Sequence, residues 1–400
     1  MSRALVWLLA ISTGCIVANI YYMQPLLADM AKDFGLSVAQ IGAVAMVTQI
    51  GTGAGMLVFV PLGDKLERRR LILTLLIAAA ISLVCAAMAP DVVSLAAACF
   101  AVGATAATVH VIVPLAAHLA PAHQRGRVVG SVLSGLLVGV LLARTFSGVL
   151  GAQFGWRAVY WTASACMLTL GGVLRLALPE SAPELALPWV DLMRSVVTLA
   201  REQRVLRQAA VLACLLFFSF SALWTTLVFL LRTPPYDYGT TVAGAFGLLG
   251  AGSAAAAPIV GRISDRHGPN RAIAVAIAAS IAGYAVLWIF GRHLAGLILA
   301  IGLVDVGVQS GHVLNQARIY SLIPSARSRL NTVYMVAFFT GGALGASCGT
   351  LAFTLGGWGG FCAVPLAALT FAFVYFLRSE RDARNSSSAD DSTIRRRRSG

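Results

Sequence analysis

Residues Gly261–Arg271 read GRISDRHGPNR, and about two hundred positions upstream Pro61–Arg70 read PLGDKLERRR. Each gives an aspartate, a basic residue, a turn and then more basic residues, directly after a long apolar run. The two aspartates, Asp64 and Asp265, are 201 positions apart (265 − 64). A second pair keeps nearly the same offset: QRGRVVG (Gln124–Gly130) contains Arg127, RSRLNTVY (Arg327–Tyr334) contains Arg329, and these lie 202 apart (329 − 127). Two features repeating at one offset predict a duplicated unit with parallel halves.

Between these basic punctuation marks the chain is almost free of charge. Of its 400 residues 58% are hydrophobic and 12% charged, about half the usual charged share of roughly 25%. Runs of ~20 apolar residues suit helices crossing ~30 Å of hydrocarbon, because lipid leaves no partner for open backbone groups. Spans are expected at 4–23, 39–60, 71–90, 93–117, 128–150 and 158–178, then at 209–231, 242–260, 272–291, 294–317, 331–355 and 357–377. They group into six-helix bundles at 1–178 and 209–377. The linker at 179–208 alternates Leu192, Val196, Leu199 and Leu206 with Arg194, Arg201, Arg204 and Arg207, which suits a helix lying on the membrane surface. Residues 378–400 are polar enough to predict a disordered tail.

The formal net charge of +14 would suit nucleic acid in a soluble domain, but here it sits in alternate loops. Lys65 to Arg70, Arg125 and Arg127, Arg194 to Arg207, Arg262 to Arg271, Arg318 to Arg329 and the tail arginines carry it. The intervening loops are poorer and partly offset by Asp29, Asp33, Asp91 and Asp237. The positive-inside rule then places the basic loops and both termini in the cytoplasm and excludes a nucleic-acid role. All seven cysteines fall inside expected spans without metal-ligand spacing, so no metal is expected. The first apolar run reads as a retained helix rather than a cleaved signal.

GRISDRHGPNR resembles motif A of the major facilitator superfamily, a G-x-x-x-D-[RK]-x-G-[RK]-[RK] pattern in the loops after spans 2 and 8. Gly261, Asp265, Arg266 and Gly268 match it, with Pro269 and Asn270 departing. The first copy keeps Asp64, Lys65, Arg68 and Arg69 but has Val60 and Glu67 where glycines are usual. The resemblance implies an all-α membrane protein of twelve helices in two pseudo-symmetric bundles, a secondary transporter working by alternating access around a central site. It also implies that the two motif copies latch one face of the molecule, an aspartate pairing with arginines and with N–H groups at a helix start.

An ionisable residue inside a span costs at least ~2.5–3.5 kcal/mol at the bilayer centre and so should face a cavity or a partner. Arg144 in span 5 and Asp305 in span 10 are the mid-span charges, with His110 and His312 as titratable companions. Asp305, Gln309, His312 and Gln316 form one stripe at i, i+4, i+7 and i+11, with Asn315 beside it. Spans 1, 4, 7 and 10 surround the cavity in the superfamily, so the stripe would look into it; a hydrogen-bonded seam between helices suits the same pattern. Span 1 offers Ser12, Cys15, Asn19 and Tyr22, span 2 offers Gln49, and span 7 an aromatic face of Phe217, Ser221 and Trp224. Within ANIYYMQPLL (Ala18–Leu27), Asn19 and Tyr22 are cavity candidates, Gln24 belongs at the outer gate, Tyr21 anchors the helix at the interface, and Pro25 stops or bends it. Gly135/Gly139 and Gly341/Gly345/Gly349 suit close helix crossings.

The Gly-Pro signature of drug/proton antiporters is missing from span 5, where Arg144-Thr145 stands instead. Gly247, Gly250 and Gly252 imitate part of a dinucleotide motif but lie in a span with no strand before them, and there is no phosphate-loop lysine. No enzyme activity and no cofactor are expected, the proton gradient being the energy source. The leading reading is a monomeric bacterial inner-membrane protein exporting a small organic solute, resembling predicted efflux permeases, with Asp305 as the proton-titrating residue. Proton-coupled uptake of a small organic anion or sugar-like solute is the alternative, with Arg144 as a binding group.

Overall fold

A computed structural model describes the backbone of residues 2–180, 189–250, 266, 268–323 and 326–398, and their side chains except those of 64, 122, 189–192 and 382–398. Ten helical segments among them are long and apolar enough to cross a membrane. The last is two crossings folded at Gly357, whose φ of 55° and ψ of −141° leave the helical region. Thr240–Leu249 is a further, shorter apolar helix among the described residues, in the region expected for span 8.

Local chemistry sets the ends of these helices. Span 2 (Val38–Lys65) starts at a capping box, Ser37 and Gln40 each bonding the other's backbone, so two otherwise orphaned donors are satisfied. Span 4 begins with the same device at Asp91 and Ser94, and runs as Val92–Ala106 and Val109–Leu119 about a short break. Span 5 (Arg125–Phe154) turns into span 6 (Trp156–Ala177) at Gly155, and span 9 (Pro269–Phe290) follows Gly268. Those glycines have φ of +83° and +84°, a region that a Cβ strains. Spans 3, 7 and 10 are Arg68–Ala87, Arg204–Leu231 and Leu294–Tyr320, and Trp189–Glu202 is a helix within the linker.

Span 1 differs from expectation. It runs as Arg3–Tyr21, breaks at Tyr22 and resumes as Met23–Asp33. Pro25 does not stop the helix: Tyr22 keeps helical angles (φ −56°, ψ −36°), and the interruption falls one turn before the proline, whose missing N–H leaves the Tyr21 carbonyl without its usual donor. The polar tail also starts later than 378. Ser379 accepts a hydrogen bond from Gln208, and Glu380 accepts from Asn270 and pairs with Arg318. These fixed donors hold residues 378–381 to the body; the rest of the expected tail lies outside the described side chains.

Small residues decide which helices approach closely. In the first half Gly14 on span 1 meets Gly135 and Gly139 on span 5; in the second, Gly341 and Gly345 on span 11 lie against the backbone of Cys214 and Phe218 on span 7. The two glycine pairs are displaced by 206 positions (341 − 135 and 345 − 139), so the repeat includes the packing of the helices as well as the loops. Between the halves, span 2 lies against span 11 at Gly42–Thr350 and Gly53–Phe339, and span 5 against span 8 at Gly148–Gly244. Gly42–Thr350 and Gly148–Gly244 mark the end of the molecule opposite the termini.

A Cβ on Gly14 would stand 2.7 Å from the Gly135 carbonyl oxygen, whereas one on Gly172 would meet nothing within 4 Å. Gly14→Val is therefore expected to cost about 1–3 kcal/mol by overpacking, read as a lowered Tm in detergent, while Gly172→Ala leaves Tm unchanged or slightly raised. Equal melting of both variants would count against the crossing.

Candidate functional site

Among the described crossing helices span 7 is the most enclosed, and span 5 is largely exposed on its outer side. The two meet at a buried charge. Arg144 is 3% exposed, and its Nε donates to Gln24 Oε1 at 2.6 Å. Its guanidinium carbon lies 3.9 Å above the Trp224 ring, 4.9 Å from that of Tyr21 and 5.7 Å from that of Phe220. A desolvated cation over an indole gains ~2 kcal/mol or more. The Trp224 Nε1–H then donates to Asp305 Oδ1 at 3.1 Å, and Asp305 is also 3% exposed. Among the described residues no ion pair joins Arg144 to Asp305. Cation and anion are held on one indole, the first on its face and the second on its edge.

Two further features complete this centre. The Nη2 of Arg144 is buried and has no hydrogen-bond partner. On span 8, a Cβ at Gly247 would stand 2.7 Å from Arg144 Cβ, and one at Gly250 3.6 Å from Asp305 Oδ2. Of the glycines that imitate a nucleotide motif in the sequence, Gly247 thus makes room for Arg144, and Gly250 lies beside Asp305 at ordinary contact distance. Span 7 continues as an aromatic wall, with Phe217 stacked on Phe338 of span 11 at 3.7 Å between centroids and on Phe220 at 5.6 Å.

Along span 10 the expected stripe spreads over several settings. His312, half-buried, faces the Tyr334 hydroxyl at 3.1 Å and the Phe338 ring at 4.7 Å. It is near enough to His110 of span 4, also half-buried, to interact electrostatically. Gln309 is half-buried one turn from Asp305. Asn315 is fully buried and donates to its own helix at Gly311, its Oδ1 unpartnered. Gln316 and Tyr320 both donate to Asn331, tying span 10 to the start of span 11.

Span 1 presents a different face to the centre from the one its polar stripe suggests. Asn19 donates to Met167 Sδ of span 6 at 3.3 Å. Tyr22 packs on Phe146 at 5.8 Å and lines, with Cys15, a groove between spans 1 and 5. The residues beside Arg144 are instead Tyr21 and Gln24, one turn apart on the opposite face. Tyr21, expected at the interface, is 8% exposed beneath the guanidinium. Gln49 lies in the seam of spans 2 and 11 near Gly342, its Oε1 unpartnered.

Of the expected latch, Lys65 is exposed and Arg68 is buried with its Nε on the Gly63 carbonyl. Arg69 reaches the Arg175 carbonyl and Glu180 past the end of span 6. Gly63 and Arg175 belong to the first half and Glu180 to the start of the linker. Arg266 is exposed, and Gly268 makes the turn before Pro269. Gly261, Asp265 and the side chain of Asp64 lie outside the described residues.

A cross-half contact that the sequence does not announce stands at the other end. Asp29 accepts from Arg232 with one carboxylate oxygen and from Thr240 Oγ1, at 2.6 Å, with the other; Arg232 also donates to Thr240 Oγ1 at 2.7 Å. Nearby, Thr145 donates to the Gly244 carbonyl at 3.2 Å.

Trp224→Phe keeps a ring under Arg144 but removes the N–H bonded to Asp305. It is expected to cost about 1.5–3 kcal/mol, the range for a hydrogen bond to a charged group, seen as a lower Tm; an unchanged Tm would remove the bond from the account. Asp29→Asn is expected to loosen the far end. An ion pair this exposed is worth about 1 kcal/mol or less, so spin labels on span 1 and the end of span 7 should show a severalfold larger population of long distances; an unaltered distribution would mean that the pair does not hold the end closed.

The sequence of the major facilitator superfamily family model matches residues 9–317 and 245–399. The uncharacterized transporter YgaY of Escherichia coli O157:H7 is 38% identical over 377 residues, covering 94% of this chain and 95% of that protein. A chloramphenicol resistance protein of Streptomyces lividans is 28% identical over 283 residues, covering 70% and 71%. Among solved structures, a bacterial homologue of the human lysosomal transporter Spinster, in an inward-facing and occupied conformation, superposes with a TM-score of 0.75 at 15% identity over 95% of this chain and 98% of that one. The chain belongs to the Major Facilitator Superfamily of membrane transporters.

Proposed function

We propose that this transporter couples proton movement to the export of a small organic solute, and that Arg144, Trp224 and Asp305 are the coupling centre. The observation that carries this is the indole shared by a buried cation and a buried carboxylate. With Asp305 ionised, the centre is electrically balanced and Trp224 is held by a charge-assisted hydrogen bond. A proton on Asp305 removes the balance, weakens that bond and leaves Arg144 as an uncompensated charge in a low-dielectric site. Proton occupancy therefore changes what the aromatic wall of Phe217, Phe220 and Trp224 can accept. His110 and His312 are second candidates for proton exchange along the same path, and Tyr21 and Gln24 are added to the substrate-contact candidates.

The bundles 1–178 and 209–377 rock about this centre, with the protein acting as a monomer in a bacterial inner membrane. With both termini in the cytoplasm, as the basic loops imply, the end closed by Asp29, Arg232 and Thr240 is the outer one. Export is supported by the relative named for chloramphenicol resistance. A second reading, uptake of an organic anion, is favoured by the unpartnered Nη2 of Arg144, a donor suited to a carboxylate.

The test is growth of a strain expressing the protein against a panel of toxins and carbon sources, followed by accumulation of the compound that responds. Export predicts severalfold higher resistance and lower accumulation, lost in Asp305→Asn at equal amounts of folded protein in the membrane. Protection by Asp305→Asn equal to that of the unaltered protein would overturn the coupling role, and raised accumulation would establish uptake.

A further inference from the structure

Where spans 7, 10 and 12 reach the end that carries the termini, a cavity of about 410 Å³ opens among Arg204, Arg207, Arg318, Arg378, Gln208 and Glu380. Four guanidinium groups face one carboxylate, and that carboxylate is already shared: Glu380 accepts from Asn270 through Oε2, and Gln208 Nε2 and Arg318 Nη2 each lie 3.5 Å from Oε1. Arg318 commits Nη2 to Gln208 Oε1 at 2.8 Å, while its Nη1 is buried with no partner. Arg207 bonds the carbonyls of Ala200 and Arg201, which are neutral acceptors, and Arg378 is exposed with no ion pair among the described residues. A buried donor left unmade costs about 1–3 kcal/mol. The cavity thus has charge and at least one unused donor to offer an anion.

The helix that carries Arg378 says where that anion comes from. Phe371 and Val374 precede it by seven and four residues and are 60% and 40% exposed, so all three share one helical face. Apolar side chains exposed on a membrane-crossing helix lie against acyl chains, and Arg378 stands about 6 Å further along the axis at 1.5 Å per residue, where headgroups lie. We propose that this cavity binds the phosphodiester of an anionic phospholipid from the leaflet at the terminal end, its acyl chains lying along Phe371 and Val374. Arg378 and Arg204 bracket the headgroup at the mouth, and Arg318 Nη1 is the inner donor. The geometry is that of a built pocket and goes beyond a general attraction of basic loops to anionic membranes.

The full-length protein in detergent is titrated with phosphatidylglycerol, with phosphatidylcholine and with inorganic phosphate. Tm and the lipid retained by mass spectrometry are read for each. The expected result is a saturable rise in Tm and about one phosphatidylglycerol retained per chain, stoichiometric occupancy of a single site, with neither effect from phosphatidylcholine. Arg204→Gln/Arg378→Gln, both at exposed positions, should retain severalfold less phosphatidylglycerol while its lipid-free Tm is unchanged. Equal retention of the two lipids, or equal retention by the double variant, would overturn the site. The same rise from inorganic phosphate alone would show a free-anion site and overturn the lipid. Should the double variant not fold, the contrast between the two lipids on the unaltered protein decides alone.

Discussion

The structure turns on a guanidinium laid over an indole whose N–H holds a carboxylate. Arg144 and Asp305 are both buried in the membrane-crossing body, where an isolated charge is expensive. A direct ion pair would satisfy both and hold them fixed, since breaking a buried pair by removing one partner costs about 3–5 kcal/mol. Trp224 gives each charge a partner without joining them. Each therefore keeps some capacity: Arg144 retains a buried, unpartnered Nη2, and Asp305 has one oxygen on the indole. The proposed coupling role rests on that spare capacity.

The rest of the molecule is arranged so that this centre can exist. Glycine at 247 lets span 8 pass the Arg144 side chain, and glycines at 148 and 244 let the same two spans touch backbone to backbone. The crossings of span 1 with 5 and of span 7 with 11 are made by glycine pairs at a common offset, so each half is stiffened in the same way. Small residues are the general solution for helices in lipid, where apolar side chains gain little by leaving the bilayer. Here they also set the depth at which the charges meet.

What the sequence made legible followed from cost. Arg144 and Asp305 stood out because few charges are tolerated in spans, and Trp224 because its spacing placed it on a face with Phe217. The polar stripe of span 1 was real, but Cys15 and Tyr22 line a groove towards span 5 and Asn19 faces span 6, because a polar residue satisfied inside one bundle has the same spacing as one facing a cavity. Tyr21 and Gln24 were read as an interface anchor and an outer-gate residue, since their partner Arg144 lies 120 or more positions away on span 5. Asp29 and Arg232 read as ordinary loop charges for the same reason: only the folded chain brings them together. The glycines at 247 and 250 were visible but carried the wrong suggestion until Arg144 and Asp305 appeared beside them.

The position of the centre relative to the closed end has a mechanical consequence. Tyr21, Gln24 and Arg144 come from the first half; Phe220, Trp224 and Asp305 come from the second. The cation–indole contact is therefore itself part of the seam between the halves. One residue beyond Arg144 on the same helix, Thr145 bonds the Gly244 carbonyl, and Gly148 meets Gly244 one turn on. Span 5 carries the site and the closure on adjacent turns of one rigid helix. A rocking of the halves that parts Gly148 from Gly244 must also draw Arg144 away from Trp224, and anything that strengthens or weakens the hold of the indole on Arg144 biases the closure in turn. If Asp305 titrates as proposed, its charge acts on the contact that opening at the far end would have to break.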